Sequence, residues 1–389
     1  MSTAASAIQG APAVRTRRTG GTQPRVLILP ASYLARDRTV GGGERYAFEY
    51  ARALAELTPT TLALFDAVPA VETHGRLEVR TFPLGPLGTR WGFPLTRELW
   101  RALAGHDVVH SMVFPTPATD LLTVAALARG RKVVLTDVGG GGPSPSTYLQ
   151  KLHPRASLNR RAHGLALLSR HAAGFFAGWT QPSTILYGGA DLQAFGGAET
   201  EPRGYALFVG RLLPHKGVLQ LIEALGPETP LHVVGRPYDA EYLERLRSAA
   251  RGKRVRFFLD ADDRELARQY AGANVVLQPS LPVAPGQADT SELLGLVTLE
   301  AMGSGKPVIV TRAGSLPELV ADGESGFVVP PHDPAALRAR TEELVASAAL
   351  SRAMGEAARE RVRALFTWEQ VAERGLTLYR ELVGAPRGR

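Results

Sequence analysis

Short apolar runs and longer amphipathic stretches take turns along this chain from Arg25 onward, an alternation that predicts strands connected by helices. In the first half the runs are Val26–Pro30, Thr61–Phe65, Glu78–Phe82, Asp107–Ser111, Lys132–Thr136, Gly164–Ser169 and Thr184–Tyr187. Between the first two, Glu44–Leu57 sets Tyr46, Phe48, Tyr50, Ala51, Leu54 and Leu57 along a helical pattern. A polar, glycine-bearing break, Gly188–Gly204, interrupts the rhythm. It restarts with Tyr205–Val209, Leu231–Gly235, Val255–Leu259, Asn274–Gln278, Pro307–Thr311 and Gly326–Val329, again separated by helical sequence.

The pattern predicts an α/β protein with two Rossmann-like, doubly wound parallel-sheet domains facing each other across a cleft. Residues 1–23 read as a disordered leader, 24–190 as the N-terminal domain, 200–366 as the C-terminal domain and 367–389 as a closing segment. Its helix, from about Thr367 to Leu382, is long enough to cross back onto the first domain.

Composition changes the picture little. A length of 389 residues with 44% apolar content suits two cores, and no run of eighteen apolar residues is present to span a membrane. The leader lacks the apolar centre of a secretory signal, and the chain has no cysteine for a disulfide framework or thiolate chemistry, so a cytoplasmic setting is expected. The net charge of +8 comes from 40 Arg and only 5 Lys, scattered without an aromatic-lined stripe. That distribution argues against nucleic acid as a partner and leaves peripheral contact with the inner face of an anionic membrane open.

Candidate chemistry gathers in the second half. Arg211 and Lys216 follow the strand Tyr205–Val209, and Gly217 opens the next helix, a combination of cations and helix N-terminus suited to a diphosphate. Two solvated basic residues at a helix start would look the same. Downstream, Glu292 and Glu300 are separated by seven residues, with Gly295 starting the helical segment Gly295–Met302. Gly295 permits close backbone approach, and free amides beside it can face phosphate oxygens. Taken singly, Glu292 is also a favourable charge at a helix start and Glu300 an exposed helix glutamate.

The motifs together make the chain resemble a family-four, retaining glycosyltransferase of the GT-B fold. They are Gly41-Gly-Gly-Glu44, Val209-Gly-Arg-Leu-Leu-Pro-His-Lys-Gly217, Val234-Gly235, Gln278-Pro-Ser280, the Glu292 to Glu300 spacing, Glu300-Ala-Met-Gly-Ser-Gly-Lys-Pro307, Pro317-Glu318 and Gly326-Phe-Val-Val-Pro330, in family order over about 300 residues. The resemblance implies transfer of a sugar from a nucleoside diphosphate sugar to a hydroxyl acceptor, with no cofactor or metal. It implies that Arg211 and Lys216 hold the donor diphosphate, Glu300 the ribose and Glu292 the transferred sugar. Gly295 and Leu296 would lend amides, Leu259 would read the base, and Gly42 and Gly43 would approach from the opposite domain. A front-face mechanism is implied, so Glu292 is not expected to be a covalent nucleophile.

Asp137 stands where relatives commonly carry a histidine; it can accept a sugar hydroxyl, grip a cationic acceptor such as an aminosugar, or serve as a turn residue before Gly139–Gly142. His110 matches a frequent family histidine and is expected either to contact the acceptor or to lie in the core. Asp260 and Arg236 also depart from the usual pattern. The loops Tyr33–Val40, Ser111–Pro117 and Gly139–Tyr148 are the expected source of acceptor contacts, and Trp91, Phe93 and Phe114 either floor such a site or belong to the core. A specialised metabolite such as an antibiotic, or a glycan, fits as acceptor. An epimerase or phosphorylase on the same fold, or a nucleotide-sugar-binding protein at a membrane surface, is the alternative reading.

Overall fold

The computed structural model describes residues 23–30, 42–66, 68–83, 96–112, 117–138, 158–176, 178–192, 202–282 and 292–384. The expected leader apart from Gln23, the three acceptor loops apart from Ser111, Met112 and Pro117, and Trp91, Phe93 and Phe114 lie outside these residues, as does most of the loop before Glu292.

The first sheet is formed by β1 (Val26–Leu29), β2 (Thr60–Asp66), β3 (Ala70–His74), β4 (Leu77–Pro83), β5 (Val108–Ser111), β6 (Lys132–Leu135), β7 (Gly164–Leu167) and β8 (Ser183–Ile185). Its order is β3-β4-β2-β1-β5-β6-β7-β8. Every pairing is parallel except that of β3 with β4. The helices are α1 (Gly42–Ala55), α2 (Arg97–Ala104), α3 (Pro117–Ala128) and α4 (Arg170–Ala173). The central strand Val26-Leu-Ile-Leu29 is buried throughout because helices cover both faces, which is why it reads as a continuous apolar run. β3 was not expected: Ala70-Val-Glu-Thr-His74 is mostly exposed and half polar, so no apolar run marks it. It is an edge strand held in a hairpin, with Gly75 in the left-handed region at φ 61°.

The second sheet contains β9 (Ala206–Val209), β10 (Leu231–Val234), β11 (Val255–Phe258), β12 (Val275–Gln278), β13 (Val308–Thr311) and β14 (Gly326–Val329). It is parallel throughout, in the order β11-β10-β9-β12-β13-β14. Its helices are α5 (Val218–Ala224), α6 (Ala240–Ala249), α7 (Asp263–Gly272), α8 (Leu296–Gly303), α9 (Leu316–Leu319), α10 (Pro334–Ala346) and α11 (Ala348–Leu365). Both sheets reverse direction of travel beside their first strand, β1 and β9, which opens a crevice at the carboxyl ends of the strands.

A final helix, α12 (Trp368–Gly384), packs against α1, β7 and β8 of the N-terminal domain. Gly375 allows this close approach, since a Cβ there would run into the Tyr50 hydroxyl. Two strands of backbone therefore pass between the domains, and they touch: the Ala190 amide donates to the Phe366 carbonyl at 2.9 Å. Gly189 packs directly on the Trp368 ring.

Candidate active site

The turn after β9 positions the first cation. Gly217 adopts φ 71°, and a side chain there would collide with the Pro279 carbonyl, so only glycine lets the Pro214–Lys216 turn sit against the Gln278-Pro-Ser280 segment. The Leu281 amide donates to the His215 carbonyl at 2.8 Å and fastens the two loops together. Lys216 thereby meets Glu292, and the two side chains form a mostly buried ion pair. Burial alone would raise the Glu292 carboxyl, but the Lys216 charge and hydrogen bond, with a further bond from the Gly295 backbone, hold it below the usual range. Arg211 does not join this pair. Its guanidinium is exposed and lies 5.9 Å from the centre of the Tyr238 ring.

Glu292 is itself held by backbone. Its carbonyl accepts from the Ser315 amide at 2.8 Å, and Gly314, at φ 54°, leaves room for the Glu292 main chain that a Cβ would fill. Gly295 follows at φ 58°, with Leu319 where its side chain would stand. It starts α8, so the first amides of that helix, including that of Leu296, open beside Glu292 without a side-chain cap.

Glu300, further along α8, is buried, not the exposed helix residue of the bland alternative. Arg45 of α1 reaches it from the N-terminal domain at 2.8 Å, and the Tyr270 hydroxyl of α7 donates to it at 3.4 Å. Burial pushes its carboxyl up to about 7, with Arg45 and the Tyr270 bond acting in the opposite direction. The two glutamates therefore occupy different environments on one helix and its leading turn. Glu292 pairs within its own domain, while Glu300 pairs across the cleft.

Other expected residues fall as follows. Gly42 begins α1, and a Cβ there would stand 3.8 Å from Leu294 and 4.0 Å from Leu296, so it faces the rear domain; Gly43 is the next residue of the same helix. Leu259 directly follows β11 and packs at the edge of the core. Asp137 follows β6 and is half-buried. His110 does not face an acceptor. It is fully buried, with Nδ1 2.6 Å from the Tyr379 hydroxyl of α12 and Nε2 2.7 Å from Thr136 Oγ1. Burial lowers it to about 3, so the ring stays neutral. The Tyr379 hydroxyl also meets that of Tyr50 at 2.7 Å, which makes His110 part of the joint between the last helix and the first domain.

Asp260-Ala-Asp262 spells an Asp-x-Asp, yet Asp262 is the N-cap of α7, accepting from the Glu265 amide at 2.7 Å. No group of three or more His, Asp or Glu residues is placed to hold a metal ion among the described residues.

Sequence reasoning missed Arg45, Tyr270 and Tyr238. Arg45 follows the Gly-rich turn directly, and a cation there was the available signal for a charge facing the cleft. The role of Glu318 within the quoted Pro317-Glu318 pair was also missed. From the C-terminal domain its carboxylate accepts the Arg170 amide at 2.8 Å and the His171 amide at 2.7 Å, at the start of α4. It also accepts the Tyr187 hydroxyl at 2.8 Å.

Comparison with known proteins matches residues 40–192 to the model described as Glycosyltransferase Family 4 and residues 191–361 to that described as Glycosyl transferases group 1. A D-inositol 3-phosphate glycosyltransferase of Corynebacterium diphtheriae is 36% identical over 185 residues, covering 44% of this chain and 41% of the relative. The stretch shared with that relative is thus less than half of its length. One of the same name from a Nocardioides species is 27% identical over 404 residues, covering 87% and 85%. Among solved structures, Anabaena HepE in complex with UDP and glucose superposes with a TM-score of 0.68 at 21% identity, over 93% of this chain and 100% of that one. With the paired parallel sheets and two family models that together span residues 40–361, the chain belongs to the family-four glycosyltransferases and has the GT-B fold.

Proposed function

We propose that the protein moves a sugar from a nucleoside diphosphate sugar to a hydroxyl acceptor with retention of anomeric configuration. The observation that carries this reading is the arrangement of Lys216 against Glu292 at the amide end of α8, with Glu300 farther along the same helix at the cleft. A relative solved with UDP and glucose supports a nucleoside diphosphate donor. Relatives named for glycosyl transfer to an inositol phosphate make a phosphorylated cyclitol the first acceptor to try.

In this reading Lys216 and Arg211 compensate the charge that builds on the departing diphosphate, the interaction that matters most when phosphate is the leaving group. The α8 amides at Gly295 and Leu296 add to it, and Gly42 and Gly43 leave the opposite wall free of side chains. Glu292, held ionised, accepts hydroxyls of the transferred sugar, and Glu300 accepts those of the ribose once Arg45 yields. Backbone after β11 at Leu259 reads the base edge, and Asp137 takes a sugar hydroxyl from the N-terminal side. A double displacement would need a free carboxylate against the anomeric carbon. Glu292 is already engaged by Lys216 and a backbone amide. The departing phosphate oxygen instead takes the acceptor's proton on one face, as the acceptor oxygen bonds to carbon and the carbon–phosphate oxygen bond breaks. No resident metal or cofactor enters this scheme.

The test is incubation with a panel of nucleoside diphosphate sugars and hydroxyl acceptors, phosphorylated cyclitols included. Mass spectrometry would detect the transferred hexose, and the anomeric proton coupling would report configuration. Donor turnover in the absence of any acceptor, without transfer in its presence, would favour the epimerase or phosphorylase alternative.

A further inference from the structure

The C-terminal domain carries a second concave site, a cavity of about 700 Å³ between α7 and the sheet edge, at the end where β9, β10 and β11 begin. The cleft lies at the other end of these strands. Its floor is a stacked pair, Tyr205 and His232, with ring centres 3.9 Å apart and planes within 20°. His232 is on the strand face opposite Leu231 and Val233, so a polar ring sits where an aliphatic residue would close the layer. The wall is fixed by hydrogen bonds. His232 Nδ1 is 2.7 Å from Gln269 Oε1, Gln269 Nε2 donates to Glu265 at 2.7 Å, and the Tyr205 hydroxyl donates to the Gln269 carbonyl at 2.8 Å.

The charges around this floor do not balance. Arg203, Arg254 and Arg256 all line the cavity, and none makes a hydrogen bond or ion pair with another side chain among the described residues. Lys253 is directed to the carbonyls of Ile222, Glu223 and Leu225. The one acid in the lining, Glu265, is already taken by Arg268 and Gln269. Burial lowers the His232 ring against the Gln269 bond, while the charges of Arg256 and Glu265 pull it in opposite directions. Guanidiniums that line one concavity without a described counter-charge suit phosphate, whose oxygens match their fork of donors.

We propose that this groove is a second anion site, taking a small phosphate-bearing metabolite independently of the donor cleft. A phosphate group could also arrive on a lipid headgroup. The concave shape favours the soluble form, and none of the exposed large apolar side chains among the described residues lies in the lining to anchor a bilayer.

The experiment uses the full chain with Arg211→Ala and Lys216→Ala already in place, so that phosphate binding in the cleft is removed. Inorganic phosphate is titrated by calorimetry into this background, into the same background with Arg254→Ala and Arg256→Ala, and into a control carrying Arg76→Ala and Arg80→Ala, which removes equal charge elsewhere. Circular dichroism checks that each is folded; the groove arginines are exposed, so their loss should leave the fold intact. The expected result is saturable binding that weakens at least tenfold in the groove variant and less than twofold in the control. Equal weakening in both, or no saturable binding in the background protein, overturns the site. Sedimentation with phosphatidic acid vesicles is run in parallel, and groove-dependent vesicle binding without groove-dependent phosphate binding overturns the soluble ligand. Neither result bears on the donor cleft.

Discussion

Arg45 and Glu300 meet across the interdomain cleft at 2.8 Å, a cation from the first helix of one domain on a buried carboxylate of the other. The donor ribose, in the proposed reading, must take the place of that guanidinium. Glu300 is also held up to about 7, by burial first, so its ionisation falls near neutral pH. A carboxylate accepts two hydroxyl hydrogens and its protonated form gives one away. Donor affinity should therefore strengthen as pH rises through about 7 and be weaker below it. Calorimetric titration of a nucleoside diphosphate sugar, whose diphosphate does not itself titrate between pH 6 and pH 8, checks this, and Glu300→Gln should bind weakly with a flatter profile.

Lys216 and Arg211 differ in setting and should differ in consequence. Lys216→Ala removes the charge partner of a nearly buried carboxylate and leaves it only backbone support, so both turnover and thermal midpoint should fall. Arg211→Ala removes an exposed cation whose only described contact is the Tyr238 ring, so stability should hardly change. Each should lower turnover at least tenfold, equivalent to about 1.4 kcal/mol of transition-state stabilisation. Steady-state kinetics beside a melting curve separates the two effects, and wild-type turnover in either variant would remove that residue from the proposed machinery.

Gly295→Ala tests the backbone end of α8. Its φ of 58° disfavours any side chain, at a cost of about 1–2 kcal/mol, and the Leu319 side chain occupies the space the new methyl needs. Denaturant unfolding should register the loss. Donor binding should weaken further than stability alone explains, because the amides beside Glu292 move with this turn.

His110 makes stability depend on pH in the opposite region. Its ring is lowered from 6.5 to about 3 by burial, so the unfolded chain takes up a proton that the folded chain refuses. The contribution is fully present above pH 6.5 and is lost as pH falls from there towards 3. Melting midpoints recorded from pH 7.5 to pH 4.5 should decline, and His110→Gln should decline less steeply.

Much of the fold was legible in the chain because parallel strands covered on both faces are short, wholly apolar runs. Val26–Leu29 and Val308–Thr311 are buried at every position, and the sequence boundaries fall within a residue of the observed ones. β3 was invisible for the converse reason, since an exposed edge strand needs no apolar face. At the site, glycines were informative because Gly217 and Gly295 are forced by positive φ and crowding, both of which act locally. Partners were not. Nothing near Glu300 in the sequence names Arg45, and His110 could be told from a surface histidine only by Tyr379, which arrives on the last helix.

That helix gives the two lobes a doubled connection. The outgoing chain at Ala190 and the returning chain at Phe366 run side by side and share a hydrogen bond, with Gly189 pressed on Trp368. A single thread would let the lobes wander, whereas a doubled one acts like an axle. Swinging about it is permitted, but sliding or twisting apart would have to break the shared bond and unseat the indole. Any opening to admit a ligand then becomes a rotation about this joint, with the Arg45–Glu300 pair close beside it, in one small cavity with Ala190 and Trp368.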